Sequence, residues 1–287
     1  GKNRPNNFVR GVNSKSFESA EKYLLKAYAL SPNDIYLRSQ TSLYTNQFST
    51  LAAGENPDKT ELQTLFGKAE QSAQAAVALD RNNATNWLIL SQVYQLIASP
   101  SQQEVLTNAS TAGLEAQKKS PTNPLFNLNM AKIHLISKDT DSALSEIDKA
   151  LALKENYLDA FVLRGQIKQA GGDSQAIKNE LLKYIAIAPY DTQGYSLLGG
   201  VYLDNKNYPA AIDAFARVKT LSPNDPNAYI AYIRALELSG DKAKTLEELS
   251  AFKVRFPKIT GVDEQIKRVQ TTTNVPQVDT STSTKKQ

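Results

Sequence analysis

Residues 192–225 read TQGYSLLGGVYLDNKNYPAAIDAFARVKTLSPND. Tyr195, Leu198, Gly199 and Tyr202 form the i, i+3, i+4, i+7 stripe of a helix buried on one side. The turn-forming run Asp204-Asn205-Lys206-Asn207 breaks the pattern, a second stripe follows at Ala211, Phe215 and Val218, and Pro223 stops it. The segment predicts two antiparallel helices, each apolar on one face. Paired helices approach closely only where side chains are short, so Gly199 is expected to face Ala211, with Ala131 and Ala143 filling the same slots upstream.

The pattern recurs. Pro121, Glu155, Pro189, Pro223 and Pro257 follow one another at intervals of 34 residues, and each closes an apolar helical stretch. Leu221-Ser222-Pro223-Asn224-Asp225 also repeats Leu30-Ser31-Pro32-Asn33-Asp34. The ruler sets units at 124–157, 158–191, 192–225 and 226–259. Turn signals at Gly171-Gly172-Asp173 and Ser239-Gly240-Asp241 share the phase of 204–207. Upstream, unit 84–123 is lengthened around Ser99-Pro100-Ser101. Unit 34–83 is longer still, with a first helix past Phe48, a loop at 52–60 and a second helix ending in Ala69, Ala73 and Ala76. Unit 1–33 has a good second helix (Ala20, Leu24, Ala27, Pro32) and is expected to have a short first helix near Phe8 to Asn13. A capping helix is expected within 260–270, with Ile266 on its apolar side, before a Thr/Ser-rich tail at 271–287 that has nothing to bury.

The signature Tyr195, Leu198, Gly199, Tyr202, Ala211, Phe215 and Pro223, echoed on the first helix of another unit by Trp87, Leu90, Ser91 and Tyr94, resembles the tetratricopeptide repeat. The resemblance covers most of the chain. It implies an all-α fold, a right-handed α-α superhelix of about seven helix-turn-helix repeats plus a C-terminal helix, and noncatalytic binding of a protein or peptide. In that family the first helices line a groove for an extended peptide. The corresponding positions here are Arg38, Ser42, Gln92, Gln95, Lys132, Gln166, Gln169, Ser196, Arg234 and Glu237, a polar, glutamine-rich set able to hydrogen-bond a peptide backbone. Family members that bind chaperone C-termini use a Lys/Asn/Arg cluster, whereas Leu88 and Val162 occupy such places here. A short first unit followed by an enlarged one gives a weaker resemblance to the soluble repeat region of bacterial multispanning O-antigen ligase-like proteins, which implies an accessory role to a membrane glycan ligase or polymerase.

Composition narrows the classes. Charged residues make up 22% of the 287 and hydrophobic ones 41%, which fits a chain that folds around a core. Net charge is only +4, from 33 Lys and Arg against 29 Asp and Glu interspersed along the helices, so nucleic acid is not an expected partner. The one basic cluster is Lys2, Arg4, Arg10 and Lys15. Without cysteine there is no disulfide, thiol nucleophile or thiolate metal site. No apolar run approaches the ~20 residues of a membrane-spanning helix. Gly1 and the polar residues after it suggest a piece of something longer.

Nothing in the sequence assembles a catalytic, metal or cofactor site. His134 is the single histidine and falls in the slot of Tyr94 and Tyr202, so core packing is its expected role. Glu247-Glu248 and Asp139 with Asp141 read as exposed, and the glycine pairs fit no phosphate-binding spacing. Most aromatics keep helical period. Tyr44, Tyr190 and Tyr208 are less settled, and their convergence on an open surface would favour a glycan ligand. The leading expectation is an interaction or structural module binding a protein, a peptide or further copies of itself. Its tail would lie in a groove, or its ends would stack into a filament. The missing cysteines and Asn/Ser/Thr-rich surface place it outside a bacterial cell or at its surface sooner than in the cytoplasm.

Overall fold

The computed structural model describes residues 6–271, with side chains from Ser16 onward. The basic cluster at the N-terminus and the tail at 272–287 lie outside the described side chains. Two compact units divide the chain, Gly1–Ala160 and Phe161–Gln287. Every regular element among the described residues is a helix.

The first unit contains α1 (Asn6–Leu30), α2 (Asp34–Ala52), α3 (Lys59–Leu79), α4 (Ala84–Gln95), α5 (Gln103–Lys119), α6 (Pro124–Ile136) and α7 (Thr140–Leu153). Helix α8 (Leu158–Ala170) starts just before the boundary. The second unit continues with α9 (Ala176–Ile187), α10 (Thr192–Asp204), α11 (Tyr208–Leu221), α12 (Pro226–Ser239), α13 (Lys242–Arg255) and α14 (Val262–Thr271). Helices α2/α3, α4/α5, α6/α7, α10/α11 and α12/α13 pack as consecutive pairs. Three of these hairpins, α6/α7, α10/α11 and α12/α13, fall in 34-residue units, and α2/α3 and α4/α5 fall in the two lengthened ones.

Many helix starts are written in their capping residues, whereas α5 and α9 begin without a side-chain cap. Asn33, Asn83, Asn123, Asp191 and Asp225 precede α2, α4, α6, α10 and α12, and each side chain accepts from the amide two residues on. Asp139, Asn207 and Asp241 cap α7, α11 and α13 by accepting from the amide three residues on. Each cap satisfies a backbone donor that the helix leaves unpaired.

Turns repeat with equal regularity. Lys138, Gly172, Lys206 and Gly240, 34 residues apart, all have positive φ, at 64°, 106°, 57° and 82°. After the first three, the next amide bonds back to the carbonyl five residues earlier, as in Asp139 to His134, Asp173 to Lys168 and Asn207 to Tyr202, which closes the helix end. Glycine adopts this conformation freely and lysine does not. Lys206→Gly is therefore expected to stabilise the second unit by ~0.5–1 kcal/mol, the left-handed penalty less the added chain entropy of glycine. A lower denaturation midpoint for the variant would contradict this.

In the first unit, Ala69, Ala73, Val77, Leu90, Val93, Ala109 and Ile133 are buried in one core, with Phe17 of α1 packed against it. Helix α2 lies beside α4, and α4 beside α6. One expectation fails here. Residues 6–30 form one uninterrupted helix instead of a short helix, a turn and a second helix. No proline interrupts that stretch, and a lone Gly11 costs a helix only about 1 kcal/mol.

The second unit corrects another contact. A side chain at Gly199 would first meet the Phe215 ring, at 2.7–2.9 Å, so the glycine accommodates an aromatic ring and its nearest neighbour is not Ala211. Gly165 does admit close backbone approach, because its Cβ would stand 2.8 Å from the Cα of Ile177. Downstream, Tyr229, Phe252 and Phe256 form an aromatic cluster, joined by Leu249, Val262 and Val269.

Candidate functional site

The polar positions on the first helices divide into free and engaged groups. Ser42 on α2, Gln92 on α4 and Lys132 on α6 are exposed at the same helical phase of three neighbouring helices. Beneath them runs a buried polar chain. Asn129 donates to Ser91 Oγ at 2.9 Å, Gln95 donates to Asn129 Oδ1 at 2.9 Å, and Ser91 donates to the carbonyl of Ala109 at 2.8 Å. Gln95 is thus spent on holding α4 to α6. Arg38 is half-buried, with Nη2 3.6 Å from Asp34.

In the second unit Gln166, Gln169 and Arg234 are exposed. Ser196 is half-buried and donates to the carbonyl of Thr192 at 2.8 Å. Glu237 accepts from Arg268 at 2.7 Å and Gln265 at 3.3 Å, so α14 occupies it. Leu88, at a place where a clamp for a terminal carboxylate would need a polar group, is buried, and Val162 is half-buried.

The packing signature is largely interior. Leu90, Tyr94, Leu198, Gly199, Ala211 and Phe215 are buried, Trp87, Tyr195 and Tyr202 half-buried, and Pro223 exposed in its turn. Trp87 Nε1 donates to the carbonyl of Arg81 at 2.9 Å, which ties α4 to the turn before it. Tyr94 donates to Glu70 at 3.0 Å. Burial first, then that carboxylate, raises its phenol above the ordinary value. Tyr44 is buried and donates to Glu21 at 2.9 Å, so it does not belong to an open aromatic platform. Tyr190 is exposed and Tyr208 half-buried.

Two ionic clusters have no counterpart in the sequence reading. Glu180 is 1% exposed and accepts from Arg164 at 2.8 Å, Lys168 at 2.8 Å and Lys183 at 3.1 Å. Burial pushes its carboxyl up, and the three cationic donors more than offset this, holding it below the ordinary glutamate range. Glu21 behaves alike: burial raises it, and hydrogen bonds from Lys68 and Tyr44 lower it further than burial lifts it. Glu146, Glu180 and Glu248 stand 34 or 68 residues apart, so the period itself could have revealed the buried carboxylate slot.

His134 is half-buried, with Nδ1 3.7 Å from Asp139. Among the described residues, no group of three or more His, Asp or Glu is placed to hold a metal ion. No described helix is long and apolar enough to cross a membrane. The geometry offers polar side chains that can hydrogen-bond along a helical face, which suits recognition of another chain.

These pairs, caps and signature residues define an all-α fold of successive helix hairpins, of the kind tetratricopeptide repeat solenoids have. No model of a known protein family and no curated protein matches the sequence. Among solved structures, the chain is similar to one in the APC/C hetero-tetramer Cut9-Hcn1, at 15% identity and a TM-score of 0.47 over 89% of this chain. It spans 46% of the length of that chain. It is also similar to the C-terminal part of a TPR repeat-containing protein from Cytophaga hutchinsonii, at 16% identity and a TM-score of 0.47 over 76% of this chain and 80% of that one. PilW, a type IV pilus biogenesis factor, gives 15% identity and a TM-score of 0.46 over 79% of this chain and 98% of PilW.

Proposed function

We propose that the protein is a noncatalytic interaction module whose first unit binds an extended segment of a partner protein across α2, α4 and α6. The observation that carries this reading is the exposed row Ser42, Gln92 and Lys132 above the fixed Gln95–Asn129–Ser91 chain. Backbone amides and carbonyls of a peptide match these donors and acceptors, and Lys132 favours an acidic residue in the ligand. A random peptide library selected on the protein supplies the probe. The best peptide is expected to bind about tenfold more weakly to the Gln92→Ala/Lys132→Ala variant, a loss typical of truncated interface contacts. Equal binding by both forms would place the peptide elsewhere and refute the reading.

Growth of a filament end to end draws no support from α14. Its charged residues Asp263, Glu264, Lys267 and Arg268 are exposed, and Asp263 and Arg268 are paired with Lys253 and Glu237 of the same unit. Light scattering with and without residues 271–287 tests whether the tail drives self-association. The glycan reading gains nothing from Tyr44, which is interior.

A further inference from the structure

The start of α11 is apolar at positions where the repeat does not require it. Tyr208, Pro209 and Ile212 stand there, and one repeat upstream the same positions hold Ser174, Gln175 and Lys178. On α13 they hold Lys242, Ala243 and Leu246. These six residues of α11 and α13 line an open groove of about 910 Å³, more than a single side chain fills. Ile212 and Leu246 are half-buried against the core of the second unit, Tyr208 is half-buried, and Pro209 and Ala243 are exposed. Apolar residues grouped on an open face mark a contact surface. The groove lies wholly within the second unit and shares no residue with the row Ser42, Gln92 and Lys132.

The end of α14 lies at this groove. Lys242, one of its lining residues, donates through Nζ to the carbonyl of Gln270 at 2.7 Å. The chain leaves α14 at Thr271, so whatever follows starts beside the groove.

We infer that the α11/α13 groove is the docking site of the chain's own segment 275–278, Val-Pro-Gln-Val, bound within the same molecule. Val275, Pro276 and Val278 are the only apolar residues in 272–287. Pro276 fixes its own φ and biases Val275 towards extended backbone. In an extended helix of three residues per turn, Val275 and Val278 share one side and enter the groove together, against Ile212 and Leu246. Five and eight residues beyond Gln270, the two valines reach at most about 18 and 28 Å from it, which brings the groove within range without strain. The charged lining residues Asp213, Asp241 and Lys242 carry both signs, and residues 272–278 carry no charge, so the contact is apolar. A segment tethered beside the groove also has a local concentration that a separate partner lacks.

The chain has no cysteine, so one engineered pair reports the contact in the full chain. Ala243→Cys/Val278→Cys is expected to close an intramolecular disulfide at least about tenfold faster than Gln193→Cys/Val278→Cys, because docking raises the local concentration of one thiol at the other. Ala243 and Gln193 are both exposed, and Gln193 on α10 does not line the groove. Adding Tyr208→Ser/Pro209→Ser to the first pair is expected to slow closure about fivefold, as for loss of an interface contact, with helix content by circular dichroism unchanged. Equal rates for the two cysteine pairs, or a rate that the Tyr208→Ser/Pro209→Ser change does not touch, overturn the proposal. A disulfide-linked dimer as the main product also overturns it, since the groove would then take the tail of a second copy.

Discussion

Glu180→Gln is expected to destabilise the second unit by about 3 kcal/mol, the lower end of what breaking a buried ion pair costs. The glutamine fits the space but removes the buried charge on which the Arg164 guanidinium, whose side chain is only 19% exposed, and two lysines converge. Lys168 and Lys183 are more exposed and can turn their ammonium groups to water, which keeps the cost from rising further. Denaturant titration of both forms at neutral pH measures the difference. Because folding depresses the Glu180 pKa, its contribution is present above the pKa of the unfolded chain and is lost as pH falls through the folded value. The gap between wild type and variant should close in acid below the ordinary glutamate range. A gap that is constant down to that range would show that the charge of Glu180 is not what stabilises the unit.

Glu146, one repeat upstream, supplies an internal comparison. It accepts from the amides of Asn127 at 2.9 Å and Gln117 at 3.4 Å, and from one exposed lysine, Lys149, at 2.6 Å. Neutral donors outnumber cations there, so the slot is kept while the chemistry that fills it changes.

The repeat period was legible because it is enforced twice, by apolar stripes and by the caps and turns between them. Asn33, Asn83, Asn123, Asp191 and Asp225 each mark a helix start by side-chain chemistry alone, and Pro223 and its equivalents mark the stops. What faces what across a pair was not legible. Gly199 was matched to Ala211 on the idea that small residues meet, whereas the space it leaves is filled by the Phe215 ring one helical turn further on. Periodicity specifies the buried face of a helix and leaves the axial offset between two helices to the packing of large side chains. The end expected for a short first helix near Asn13 fails for a related reason. Polar turn formers permit a break without compelling one, and here the helix runs through.

The candidate site was legible only as a set of positions. Counting along first helices selected ten residues, but only the structure separates Gln92 and Lys132, which face solvent, from Gln95 and Glu237, which are bonded inside the molecule. A glutamine on a helix carries the same sequence signal in either case.

Phe252→Ala carries the other large expected effect, about 4 kcal/mol of stability, as for a fully buried phenylalanine cut to alanine. Alanine occupies the same repeat position in α3, α5 and α7, as Ala76, Ala116 and Ala150, so the change looks conservative by pattern. The local packing makes it severe. The Phe252 ring lies 6.3 Å from Tyr229 and 5.0 Å from Phe256, and the cluster extends to Val262 and Val269 on α14. Helix α14 buries only these two residues fully. The Lys253–Asp263 and Arg268–Glu237 pairs that tie α14 to α13 and α12 are exposed or partly so, and each is worth no more than about 1 kcal/mol. Removing the ring should therefore loosen α14 before the rest of the unit, so amide exchange over 262–271 is expected to rise more than exchange in α10 or α11. Uniform loss of protection across the unit, or α14 protected as in the wild type, would show that the C-terminal helix is held by something other than this aromatic core.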